Sequence, residues 1–173
     1  MTFTDAITTC FRKYATFSGR APRSEYWWFV LFVVLVTMVL GFVDASLFGA
    51  PSETEPGGAL LVPIWQLATL IPLLAAAWRR MHDTGRSGKV LLIPLAISFG
   101  LSAMLLLGIL GAEMAGVDAA DPAATSLALG GLGVMAIAMI VQLVVGILLL
   151  WWLTRPSQPD TNEYGPPPAE ARI

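Results

Sequence analysis

Four long apolar stretches constrain this chain more than any other feature of its sequence. They cover residues 26–48, 60–78, 90–111 and 129–153. Because the core of a bilayer offers the backbone no hydrogen-bonding partner, a stretch of about 20 apolar residues crosses it as an α-helix. Charged residues make up only 13% of the sequence, against roughly 25% in soluble domains. The sequence therefore predicts an all-α fold, a bundle of four transmembrane helices.

The charges between the stretches predict the orientation of the chain. All ten basic residues lie in segment 1–25, in connection 79–89 or after residue 153. Connections 49–59 and 112–128 contain no basic residue, and their acidic residues are Glu53, Glu55, Glu113, Asp118 and Asp121. Short segments rich in Lys and Arg remain in the cytoplasm, and interfacial tryptophans are typical of span ends. We therefore predict that both termini and connection 79–89 are cytoplasmic.

The two ends of the chain have their own patterns. Phe3, Ile7, Phe11 and Tyr14 recur at helical spacing, which predicts a short amphipathic helix, lying on the membrane surface or packed against the protein's own cytoplasmic ends. The segment after residue 153 is rich in proline, so it cannot form a regular helix. We expect one membrane domain over residues 1–155 and a cytoplasmic Pro-rich tail over residues 156–173.

Connection 79–89, RRMHDTGRSGK, holds four of the ten basic residues and the only histidine. In one interpretation it is a solvated turn made by Gly85 and Gly88, in which Asp83 pairs with an arginine. In the other, its basic side chains bind a phosphate or an anionic lipid headgroup. Cys10 is the only cysteine, so neither a disulfide nor a Cys-based metal site is expected, and no cofactor is predicted.

Three segments together resemble a bacterial inner-membrane family known as "domain of unknown function 805". They are FSGRAPRSEYWWF (17–29), RRMHDTGRSGKVLLIPL (79–95) and NEYGPPP (162–168), and they occur in the order found in that family. Lys89 departs from the pattern, because the family commonly has Trp there. The resemblance implies a bacterial inner-membrane protein of about four helices whose function has not been settled.

The resemblance also implies that the three segments share the cytoplasmic side. We expect them to meet in one cluster, in which Glu25 and Asp83 pair with arginines and the tail folds over connection 79–89. This cluster is predicted to be structural or to bind an anion or lipid. Its predicted members are Arg20, Arg23, Glu25, Arg79, Arg80, His82, Asp83, Arg86, Gly88, Asn162, Tyr164 and Gly165.

Three functional hypotheses follow. The favoured one is a non-catalytic scaffold or binding module, with membrane lipids, a second copy or another protein as its partner, and not a nucleic acid. The alternative is a small oligomeric transporter or channel, for which Pro72, Gln66 and Gln142 would line a path. The least favoured is an enzyme acting on lipid or phosphate esters, with His82 oriented by Asp83 as a general base.

Overall fold

The computed structural model describes residues 1–49, 58–115 and 122–169. Within these ranges the chain is mostly helical, and an isolated bridge between Asn162 and Gly165 is its only β-type pairing. Four of the helices are long and apolar enough to span a membrane, which confirms the predicted all-α chain with four membrane-spanning helices. The helices are α1 (Phe3–Arg12), α2 (Arg23–Phe48), α3 (Leu61–Asp83), α4 (Leu92–Ala115, after a 3-10 turn over Gly88–Leu91) and α5 (Pro122–Thr154).

Two helix bounds differ from the predicted spans in ways that matter. α3 continues to Asp83, so the first five residues of connection 79–89 are helical. The described part of α5 runs from Pro122, seven residues before the predicted span. Glu53, Glu55, Asp118 and Asp121, predicted for outer loops, lie outside the described residues, and so does Arg172.

The described chain divides into two compact units. The first contains residues 1–88 and the tail from Leu153, and the second contains Lys89–Trp152. In the first unit, Cys10, Phe29 and Ala76 are buried together where α1, α2 and α3 meet. Phe3 and Phe11 of α1 make edge-to-face ring contacts with aromatic residues of α2 at centroid distances of 5.5–6.4 Å. α1 is therefore packed against the helices of its own unit.

A proline in α3 creates a second attachment for the N-terminal segment. α3 is continuous through Pro72, but proline has no N–H to give to the carbonyl of Ala68 four residues earlier. The hydroxyl of Tyr14 donates to that carbonyl at 2.5 Å. The acceptor left over by Pro72 thus binds a side chain that follows α1.

Asp44 near the end of α2 caps the start of α3. This residue is only 2% exposed. Its two carboxylate oxygens accept from the backbone N–H groups of Leu60, Leu61 and Val62 at 2.9–3.2 Å. The first N–H groups of a helix have no hydrogen-bond acceptor within the helix. The Asp44 carboxylate supplies the acceptor for these N–H groups at the start of α3.

The second unit is less closely packed within itself. Most apolar side chains described in α4 and α5 are exposed, as shown by Phe99 at 74% and Leu107 at 69%. A polar contact joins the two helices, because the Gln142 amide donates to Ser98 Oγ at 3.1 Å. This is the surface expected of helices whose surroundings are lipid.

Candidate functional site: a buried arginine cluster

The C-terminal end of α3 positions the RRMHD residues. Gly85 has a positive φ of 74°, and it ends the helix with the backbone bonds of a Schellman motif. In this motif Gly85 N donates to His82 O and Arg86 N donates to Met81 O, both at 3.0 Å. Because the motif comes after Asp83, the side chains from Arg79 to Asp83 project from a helical turn. The expectation of a solvated turn over 79–89 is therefore wrong for its first half.

Three buried ion pairs form the centre of the site, which we call the arginine cluster (Arg20, Glu25, Arg79, Arg80 and Asp83). Arg79 contacts Glu25 at 2.8 Å, Arg20 contacts Asp83 at 3.0 Å, and Arg80 also pairs with Asp83. Arg79 and Arg80 are only 1% and 0% exposed. A buried charge needs such partners, since removing it from water costs several kcal/mol.

The guanidinium groups of the cluster also bind main-chain carbonyls. Arg79 donates to Thr16 O at 2.6 Å, in the segment between α1 and α2. Arg80 donates to Leu153 O at 3.1 Å and also to Arg155 O. The donors of both arginines are thus largely used within the protein, although the buried Arg79 Nε has no described partner.

Arg20 and Asp83 bind the C-terminal tail. Arg20 donates to Gln158 O at 2.5 Å, to Asp160 O at 2.8 Å and to Gly165 O at 3.3 Å. The backbone N–H of Gln158 in turn donates to Asp83 O at 3.0 Å. The tail is therefore recognised through its main chain, by groups at the end of α3 and before α2.

His82 and Asn162 join the tail to the same helix end. The His82 ring stacks on Tyr164 with a centroid distance of 3.7 Å and an angle of 4°. Its Nδ1 lies 3.1 Å from Gly19 O, and because a carbonyl only accepts, Nδ1 carries the proton. The Asn162 amide donates to His82 O at 3.0 Å. The carboxylate of Asp83 is bound to arginines, so it does not orient the His82 ring.

Three other predicted members lie around the cluster. Arg23 is exposed at the start of α2, where its Nε donates to Arg155 O at 2.8 Å. Arg86 donates to Thr84 O at 3.1 Å; burial lowers the pKa of its guanidinium, and the positive charge of Arg155 lowers it further. Gly88 packs against the ring of Trp78, where a Cβ atom would lie within 3 Å of indole carbons.

Several residues that contribute to the site could not be predicted from their residue type. Five residues contribute to the site through their main-chain carbonyls, which every residue type has: Gly19, Leu153, Arg155, Gln158 and Asp160. Ser157 was also missed, although its hydroxyl donates to Asp83. Ser157 could have been considered, since it is polar and lies just after a span. Its partner Asp83 could not have been identified, because it is distant in sequence. In the described parts of the chain no group of three His, Cys, Asp or Glu residues is placed to hold a metal ion.

The fold and the site together define a helical membrane protein with several spans. The residues of its arginine cluster pair with one another where α2 begins and α3 ends. The chain belongs to the DUF805 family, whose description is "Protein of unknown function" and which matches residues 14–166. It is 38% identical over 76 residues to inner membrane protein YhaH of Escherichia coli strain K12, covering 44% of this chain and 60% of that protein. It is also 38% identical over 81 residues to inner membrane protein YhaI of the same strain, covering 44% of this chain and 59% of YhaI. The chain thus spans about 60% of the length of these relatives. No solved structure matches it significantly.

Proposed function

We propose that this protein is a non-catalytic binding module of the bacterial inner membrane, with both termini in the cytoplasm. The arginine cluster is its structural centre: it joins the N-terminal segment, the end of α3 and the tail into one cytoplasmic face. Partners bind exposed residues around this face and not the buried arginine cluster. The observation that carries this proposal is the burial of Arg79 and Arg80 together with their internal partners.

The same geometry separates this proposal from the other two hypotheses. In the enzyme hypothesis Asp83 orients His82 as a general base, but the Asp83 carboxylate is paired with Arg20 and Arg80, and Tyr164 covers one face of the His82 ring. Gln66 is exposed on α3, and the Gln142 amide is hydrogen-bonded to Ser98. The Gln142 amide is thus used in a contact between α4 and α5, and we favour the binding module over a transport path.

The structural role of the cluster is tested by thermal unfolding of the purified protein, followed by circular dichroism with and without inorganic phosphate. Asp83→Ala leaves two arginines without their carboxylate, so we expect a strongly lowered Tm. Arg12→Ala is the matched control, because Arg12 is exposed in the last turn of α1. Phosphate should not raise the Tm of the wild-type protein. A phosphate-dependent rise that Arg80→Ala abolishes would contradict the proposal, since the cluster would then be an open anion site.

The orientation is tested with single cysteines in a Cys10→Ser background. A cysteine at Ala169 should react with a membrane-impermeant maleimide in inverted vesicles and not in intact spheroplasts. Labelling in spheroplasts alone would place the tail outside and contradict the proposed cytoplasmic face.

A further inference from the structure

A groove follows one face of the first turns of α2. It has a volume of about 420 Å³ and is lined by Arg23, Ser24, Trp27, Trp28 and Leu31. These positions lie within a single arc of a helix, because each residue advances the helix by about 100°. Along the axis the groove changes from a guanidinium through two indoles to an aliphatic side chain, over about 12 Å at 1.5 Å per residue. This order matches the change from headgroup to acyl chain in a phospholipid.

The polar end of the groove carries the guanidinium of Arg23, which is in none of the ion pairs formed by the arginine cluster among the described residues. Arg20, Arg79 and Arg80 share two carboxylates, Glu25 and Asp83, which leaves one positive charge in excess within the arginine cluster. Arg23 lies outside those pairs: among the described residues its partner is the carbonyl of Arg155, which contributes no charge to neutralise it. An anion at this end would therefore meet a net positive field.

The start of α2 adds to this field. Its first turn is preceded by Pro22, which supplies no side-chain hydrogen bond to the N–H groups at the helix end. The dipole of α2 favours negative charge at this end of the helix, close to Arg23. Further along α2, Trp28 and Leu31 are each 41% exposed, and the apolar surface continues through Val34 and Leu35. Exposed tryptophans at this depth are typical of the membrane interface.

From these observations we infer that the Arg23–Trp28 groove binds an anionic phospholipid. Its phosphate lies against Arg23 at the start of α2, its glycerol region beside the two indoles, and an acyl chain along Leu31. The inference rests on the proposed cytoplasmic orientation of this end, and it moves the expected lipid site from the RRMHD arginines to a groove on α2. Arg23 is the selective element, because a guanidinium forms strong, directed hydrogen bonds with phosphate oxygens.

The test is native mass spectrometry of the whole protein after incubation with equal amounts of phosphatidylglycerol and phosphatidylcholine. We expect the wild-type protein to retain phosphatidylglycerol preferentially, and Arg23→Ala to lower that retention about tenfold, as for the loss of one charged hydrogen bond. Arg23→Lys should fall between the two, and Trp28→Leu should weaken retention of both lipids. Arg12→Ala and Trp151→Leu are matched controls outside the groove, and both should behave as wild type.

Any of four results would overturn the inference. Equal retention of the two lipids would show that charge is not recognised, and an equal loss in Arg12→Ala would show non-specific attraction. Competition by inorganic phosphate alone, at the concentration of the lipid, would show an anion site without a lipid. Circular dichroism of each variant establishes that it is folded, and Arg23→Lys and Trp28→Leu provide the test even if Arg23→Ala unfolds. If Asp83→Ala is destabilised while Arg23→Ala retains lipid, this inference fails and the proposed function stands.

Discussion

Each of the two compact units of this protein contains two helices that are apolar enough to span a membrane, but the units are held together differently. In the first unit α1, α2, α3 and the tail are joined by buried ion pairs, ring contacts and side chains bound to carbonyls. In the second unit most side chains described in α4 and α5 are exposed. Lipid tails are as apolar as leucine, so apolar surface alone gives two membrane helices little reason to associate. The difference indicates that directed polar contacts specify the first unit, which also carries the candidate site.

The largest effect should come from breaking one pair in the first unit. Arg79→Met leaves Glu25 buried without its partner and should cost about 3–5 kcal/mol of unfolding free energy. The double variant Arg79→Met with Glu25→Leu removes both charges and should recover much of this loss. Denaturant unfolding in detergent measures each variant. If the double variant loses as much as the sum of the two singles, the pair is not coupled and the account of the first unit is wrong.

A glycine in each unit provides the next comparison. A Cβ atom at Gly88 would collide with Trp78, whereas a Cβ atom at Gly100 of α4 would meet nothing within 4 Å. Gly88→Ala should therefore cost about 1–3 kcal/mol, while Gly100→Ala should be neutral or slightly stabilising because alanine favours a helix. Thermal unfolding of the two variants is the measurement. If both variants lost the same amount of stability, the proposed difference in packing between the two units would be contradicted.

How much of this could be predicted depends on the kind of signal. The four spans could be read from apolar length, because the bilayer imposes it on every sequence. The C-terminal end of α3 could not be placed as well, since Arg79 and Arg80 look like loop residues until Asp83 and Glu25 are known to neutralise them. The meeting of the three segments was expected from a resemblance and not from spacing. The main-chain carbonyls that bind Arg20 and Arg80 could not be predicted, because every residue has one.

A smaller effect tests the attachment of the N-terminal segment. Tyr14→Phe removes only the hydroxyl that binds the Ala68 carbonyl, and it should cost about 1 kcal/mol. Pro72→Ala restores an N–H group that can donate to the same carbonyl, so Tyr14→Phe should cost less in that background. A double-mutant cycle by denaturant unfolding measures the coupling. Strict additivity would contradict the idea that Pro72 leaves this carbonyl for Tyr14.

The smallest effect is expected in the second unit. Gln142→Leu removes the bond to Ser98, but it also removes a buried amide oxygen that has no described partner. Hydrogen bonds between membrane helices contribute about 0.6 kcal/mol on average, so the net change should be close to zero. Unfolding in detergent checks this. A loss as large as that of Arg79→Met would mean that the second unit is specified by polar contacts as well.

The alkylation rate of Cys10 tests most directly whether the arginine cluster holds the first unit together. Cys10 is the only cysteine in the chain and is fully buried beside Phe29 and Ala76. Burial, reinforced by the charge of Glu25, raises the pKa of its thiol to about 12. Since the thiolate is the reactive form, N-ethylmaleimide at pH 7 should modify the folded protein far more slowly than the denatured protein.

The comparison is between the wild-type protein, Arg80→Ala and the control Arg12→Ala. Arg80 binds Asp83 and the carbonyls of the tail. Faster labelling of Cys10 in Arg80→Ala would therefore report loosening of the whole first unit. We predict fast labelling in Arg80→Ala and wild-type protection in Arg12→Ala. A folded Arg80→Ala protein that protects Cys10 as well as the wild type does would contradict the claim that the arginine cluster holds this unit together.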